Sequence, residues 1–333
     1  MLSAEQLQGG VPLTSAHAGV VDPTRYLHSE DVSRLGTVTV AGTVSAPLLA
    51  WKGCTTNTDD DDGTNGINGT NVDLEAVAAA LTGFVGVLFA DVSQGSVNMC
   101  TSMAFVHAYT LRSLMQGASS DAPQLSAVYA YYYQRIQECQ AFDICRCVTC
   151  PGCPGTCDPP CMDCGSYLSS AATVFSAGVC PSALWPYTTN INTPPDEAAS
   201  AAAGLYRITS MACIQTGRGF LARLRAALMA RCPVVVFLSL TPSQVTWMQA
   251  RQDAFNTTLD GVLRTVLPDF VDQEDPTAYV GHAVLAVGLH DDSILLRNNF
   301  GNAWGARGRF CIATKYASTE QFHTAVAVLA VTG

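Results

Sequence analysis

The chain has 333 residues, 17 of them Lys or Arg and 27 Asp or Glu, for a formal net charge of −10. It has no block rich in Lys and Arg, which argues against nucleic acid and anionic membrane surfaces as partners. Charged residues are 13% of the chain, about half the usual share, so much surface is expected to be covered, and incorporation in a larger assembly is one reading. The longest nearly apolar run, AVAAALTGFVGVLFA at 76–90, is shorter than the roughly 20 residues of a membrane span and reads as a buried core segment.

The start, MLSAEQLQGGVPLT, lacks the basic flank and apolar block of a secretory signal, and the expectation is an intracellular protein. The sequons at Asn68 and Asn256 matter only in the secretory route. In the first fifty residues TVTVAG (37–42) is the best strand candidate. The acidic, Gly/Asn-rich stretch 57–71 lacks the spacing of a calcium loop and reads as a solvated turn without a ligand.

Apolar spacing then predicts helices over Val72–Leu81, Cys100 to about Met115, and 124–138, with the aromatic run 129–133 in the core. Eight cysteines follow between 139 and 164. Beyond Arg231 the runs PVVVFLSL, HAVLAVGL, SILLRNNF, GRFCIAT and TAVAVLAV predict strands. Helices first and strands second describe an α+β chain, not an alternating parallel one.

An isolated cysteine is more often a small core hydrophobe than a nucleophile, so Cys100 needs company. A thiol becomes nucleophilic as thiolate, and a helix N-terminus or a nearby imidazolium lowers its pKa; Cys100 sits where a helix begins. Gln94, six residues earlier, can supply an amide to a developing oxyanion together with a backbone N–H. His282 is placed at the start of the HAVLAVGL strand, and Asn298 in RNNFGNAWG can accept the imidazole proton and fix the ring. His290, the rival histidine, is expected in a turn. His17, His28, His107 and His323 have no motif around them, and Trp185, Tyr187 and Trp304 read as packing residues.

In this order the motifs resemble the papain-like cysteine peptidases over most of residues 94–312. QGSVNMCTSMAF is similar to the family's Gln-Gly-x-x-x-x-Cys-x-x-Ala-Phe region, QLSAVYAYYY to its Leu-Ser…Tyr segment, and GVCPSALWPY to its Gly-Val…Tyr-Pro-Tyr element. GHAVLAVG is similar to the histidine motif, and NNFGNAWGARGRF to Asn-Ser-Trp-Gly-x-x-Trp-Gly-x-x-Gly-Tyr. The resemblance implies Cys100 as nucleophile, His282 as base, Asn298 as its orienting partner and Gln94 as oxyanion donor. It also implies a two-lobe fold with a protein or peptide substrate in the cleft and no cofactor for catalysis. Two departures stand out. Where the family usually has Cys-Gly-Ser-Cys-Trp, this chain has Val97-Asn98-Met99-Cys100-Thr101, and Phe300 replaces the tryptophan that shields the Asn–His pair.

The resemblance leaves two additions. Residues 1–75 form an N-terminal extension, expected as a folded arm since no long charged propeptide helix is visible. Residues 76–333 form the peptidase-like domain, with a helical lobe over about 76–205 and a sheet lobe over about 206–333. The insert 139–164 holds Cys139, Cys145, Cys147, Cys150, Cys153, Cys157, Cys161 and Cys164. Their short spacings suit structural zinc in a reducing compartment and disulfides in an oxidising one.

Overall fold

In the computed structural model, the residues described are 12–13, 93–118, 122–142, 163, 165–214, 219–230, 232–250, 257–259, 262–264, 279–290, 293–306, 308–317 and 322–333. The strand expected at 37–42, the helix expected over Val72–Leu81 and the acidic stretch 57–71 lie outside them. In chain order the elements are β1 (Pro12–Leu13), α1 (Cys100–Met115), α2 (Ala127–Phe142), α3 (Leu168–Ala177), α4 (Glu197–Ala203), β2 (Ile208–Ile214) and α5 (Phe220–Met229). They continue with β3 (Val234–Leu240), α6 (Pro242–Ala250), β4 (Thr257–Leu259), β5 (Val262–Arg264), β6 (Tyr279–His290), β7 (Ser293–Arg297), β8 (Arg309–Ala313) and β9 (Phe322–Val331).

One antiparallel sheet runs β2-β9-β3-β6-β7-β8, with β1 added on β6. β3 lies in its middle, paired on one side with β6 and on the other with β9. Its seven residues, VVVFLSL, are all buried, as expected for a strand covered on both faces. The alternation of side chains along a strand sorts these residues into two cores. Val235 and Phe237, with Ala283, Leu285 and Val287 of β6, join the core formed with α1, α2 and α3. Val234, Val236, Leu238 and Leu240, with Val284 and Ala286, face the other core, built with Phe220 and Leu224 of α5 and with Phe300 and Trp304.

α1 is buried along most of its length, from Cys100 through Tyr109 and again at Leu111 and Ser113. A helix apolar nearly all round needs cover on every side, and α1 obtains it from α2, α3 and the sheet. The aromatic run of α2 is inside as expected except at its end: Tyr129 and Tyr131 are fully buried and Tyr132 nearly so, whereas Tyr133 is only partly buried. Phe105 stacks on Phe175 of α3 with ring centroids 5.3 Å apart. The α+β arrangement, helices before sheet, is the one read from the sequence, with α5 and α6 as further helices between its strands.

Candidate active site

The site forms where the start of α1 meets β6 and the segment after β7. Cys100 is the first residue of α1, and no side chain caps that end. Its thiol is free, wholly buried, and accepts a hydrogen bond from the Ala283 N–H at 3.3 Å. Strand alternation turns Ala283 to the helical side and leaves His282 on the face shared with Phe300.

The sequence predicted His282 at the start of a strand; β6 begins three residues earlier, at Tyr279, because Val280 and Gly281 find ladder partners in Leu240 and Ser239. The imidazole Nε2 and Asn298 Oδ1 are 2.8 Å apart. That oxygen also accepts the Asn299 N–H at 2.8 Å, so the side-chain amide of Asn298 is held from two directions. The Phe300 ring stacks on the imidazole at 5.4 Å and 26°, and Trp304 meets Phe300 edge-on at 5.7 Å. Nδ1 of His282 has no hydrogen-bond partner among the described residues.

Burial dominates the ionisation of both groups. It pushes the Cys100 thiol up to about 12, against the Ala283 N–H, which favours thiolate; the negative charge of Asp163 pushes the same way as burial. Burial also holds the His282 imidazole down to about 4, with the Asn298 hydrogen bond opposing. The resting pair is therefore neutral thiol and neutral imidazole.

The turn leading into Cys100 is pinned at alternate residues. The Gln94 N–H donates to the Asn299 carbonyl at 2.8 Å, the Ser96 N–H to Tyr187 Oη at 3.2 Å, and the Asn98 N–H to the Asp163 carboxylate at 3.0 and 3.1 Å. The Asn98 side-chain amide donates to the Asp163 carbonyl at 2.8 Å, and the Tyr131 hydroxyl donates to the same carboxylate at 2.6 Å. Gly95 has φ +57, where a side chain is strained, and a Cβ there would lie 2.2 Å from Tyr187 Oη and displace it from the Ser96 N–H. Gln94 is wholly buried, and its side-chain amide donates to the Val97 carbonyl at 3.2 Å.

Two contributors escaped the sequence reading. Asp163 is one. The other is Asn299, whose side-chain amide donates to the Ala283 carbonyl at 2.7 Å and to the Cys100 carbonyl at 3.2 Å. The only signal for Asn299 was an asparagine where the similar family motif has serine. His290, expected in a turn, is the last residue of β6 and pairs with Ser293, because the β6–β7 hairpin extends its ladder to that pair. It stands eight residues along the strand from His282, about 26 Å away. His107, on α1, is buried, and burial first and the Arg297 charge second hold its imidazole well below its usual range. Trp304 is packed as expected, whereas Tyr187 is 48% exposed.

The insert cysteines Cys145, Cys147, Cys150, Cys153, Cys157, Cys161 and Cys164 lie outside the described residues, as does the side chain of Cys139. Among the described residues no group of three His, Cys, Asp or Glu could hold a metal ion, and no helix is long and apolar enough to cross a membrane.

No protein-family model matches this chain, and no curated protein is significantly similar to it. Solved structures are similar. Xylellain, a cysteine protease from Xylella fastidiosa, superposes with a TM-score of 0.55 at 22% identity, over 73% of this chain and 83% of its own. The chain has the papain-like fold. Weaker likenesses, which add nothing to that conclusion, include procathepsin B from Trypanosoma congolense (TM-score 0.47, 14% identity, 75% of each chain). Another is a structure from work on the mite allergens Blo t 1 and Der p 1 (0.49, 17%, 81% of this chain and 74% of that one). In this chain α1 and β6 share one core, which brings the Cys100 thiol against the backbone of Ala283, the residue after His282.

Proposed function

We propose that this chain is a cysteine-dependent hydrolase of peptide or isopeptide bonds. The observation that carries the reading is the 2.8 Å contact of His282 Nε2 with Asn298 Oδ1. It fixes Nε2–H as donor and leaves Nδ1 as the basic nitrogen, on a residue whose neighbour Ala283 touches the Cys100 sulfur.

In the reaction His282 Nδ1 takes the Cys100 proton as the sulfur attacks the substrate carbonyl, so charge is created only as the bond forms. The developing oxyanion accepts from the Cys100 N–H and the Gln94 side-chain amide. His282 then returns the proton to the leaving amine, which departs, and activates the water that hydrolyses the thioester. Asn298 keeps the imidazole in one tautomer through both steps, and Phe300 keeps water away from that hydrogen bond.

A peptide library tests this: the protein cleaves a subset of peptides, and Cys100→Ala abolishes cleavage. Failure to cleave with purified, folded protein counts against the reading. A second reading, a catalytically silent structural or assembly protein on the same fold, is favoured by the complete burial of Cys100, His282 and Asn298. An epoxide or vinyl-sulfone thiol probe separates the two, since Cys100 is labelled under reducing conditions only in a competent site. The same fold could present the cysteine-rich insert as a zinc-binding interaction module, a role tested by deleting 139–164 and assaying partner binding apart from hydrolysis.

A further inference from the structure

Asn299 touches the segments of all four candidate site residues. Its side-chain amide donates to the carbonyl of Cys100 on α1 and to the carbonyl of Ala283, the residue after His282 on β6. Its backbone N–H donates to Asn298 Oδ1, the atom that orients the imidazole. Its backbone carbonyl accepts the N–H of Gln94. The residue is wholly buried, so none of these contacts is exchangeable for water at low cost.

The geometry of the amide explains why asparagine suits the position. Its two N–H groups diverge by a fixed angle from one nitrogen, and here they reach one carbonyl on the helical side and one on the sheet side. A serine hydroxyl has a single hydrogen to donate and can satisfy only one of the two. The Cys100 carbonyl is in the first turn of α1, so fixing it fixes the direction in which the helix presents its first residue.

We infer that Asn299 is a positioning residue which locks the nucleophile's helix to the histidine strand, setting the separation of Cys100 and His282 without touching substrate. This rests on the proposed hydrolase, but it also has a readout independent of turnover. Burial and the Asn298 hydrogen bond are what act on the ionisation of His282, and burial, the backbone N–H groups of Ala283, Thr101 and Cys100, and the charge of Asp163 act on Cys100. Loosening the junction admits water to both, so the pH dependence of Cys100 reactivity moves.

The test uses the full chain with Asn299→Ala and Asn299→Ser. Kinetics on a cleaved peptide give kcat and KM, and mass spectrometry follows alkylation of Cys100 by iodoacetamide across pH. Asn299→Ala is expected to lower kcat about tenfold or more, the cost of stranding a buried acceptor, with KM within about twofold. Its alkylation profile shifts from that of the unaltered protein. Asn299→Ser, which keeps one donor, recovers part of the kcat loss. An Asn299→Ala protein with unaltered kcat and alkylation profile overturns the inference, as does a serine variant no better than alanine at equal Tm. Should Asn299→Ala fail to fold, Asn299→Ser decides: a lowered kcat with KM held supports the role, and an unaltered kcat overturns it. If the unaltered protein cleaves no peptide, the hydrolase reading fails by itself; a shifted Cys100 profile then still supports the lock, and an unshifted one overturns it.

Discussion

At Gln94 and His282 the chemistry depends on single atoms. Gln94 is wholly buried on the turn into Cys100, and in the proposed reaction its amide is one of two oxyanion donors. Gln94→Ala is expected to lower kcat roughly 10²- to 10³-fold, as loss of one such donor does elsewhere, with Cys100 still labelled by a thiol probe. In the proposed reaction His282 is the base and carries the pH dependence. It acts as base only when unprotonated, and burial holds its folded pKa near 4, well below the ordinary 6.5. Activity should therefore persist as pH falls through 6.5 and disappear as it falls through about 4, which a profile of kcat/KM against pH reads directly. An acid limb near 6.5 would mean that the imidazole is hydrated in the working enzyme. Cys100, His282, Asn298 and Gln94 were all legible as candidates because each sits in a short motif of distinctive residue types. Asn299 and Asp163 were not, since an asparagine or aspartate acquires its role only from the carbonyls and amides that folding brings to it.

Among the elements, the packing of α2 on α3 carries a second titratable group. Glu138, on α2, is buried and accepts the Tyr167 N–H at the start of α3 at 2.7 Å, together with the Ser170 hydroxyl. Burial pushes its carboxyl up to about 8 from 4.5, and the two hydrogen bonds and Arg135 offset this only in part. Between those values the folded protein holds a proton that the unfolded chain has released, so stability falls as pH rises from about 4.5 to about 8. Glu138→Gln removes that slope. Its Tm should exceed that of the unaltered protein at pH 8, and the gap should close towards pH 4.5, as thermal denaturation at a series of pH values would reveal. The strands of the second half were legible because runs such as VVVFLSL leave little alternative to a buried strand. β2, with its mixed burial, was missed: ITSMACI offers neither a continuous apolar run nor a regular alternation.

For the whole molecule, the described part of the N-terminal extension is β1, which pairs with β6 at Tyr279 and Val280, two to three residues before His282. The extension 1–75 is proposed to be part of the folded unit, so removing it should lower Tm and expose apolar surface to a hydrophobic dye. A truncated protein that is equally stable and more active would identify it as a propeptide. The cysteine-rich insert is proposed to hold zinc on four thiolates per ion, at Zn–S distances of about 2.3 Å. Elemental analysis of the purified protein checks this; no zinc, with insert thiols that resist alkylation until reduced, would assign disulfides instead. The sequence by itself determined the α+β order of elements and the identity of the residues to examine, because periodicity and short motifs are local properties of the chain. Only the tertiary structure decided that a thiol at the start of α1 meets the Ala283 N–H, 183 residues away, that Asp163 and Asn299 hold the turn and the junction, and that the pair rests neutral. Those outcomes depend on burial and on which buried carbonyl finds which amide, and both are set by contacts between segments distant in the chain.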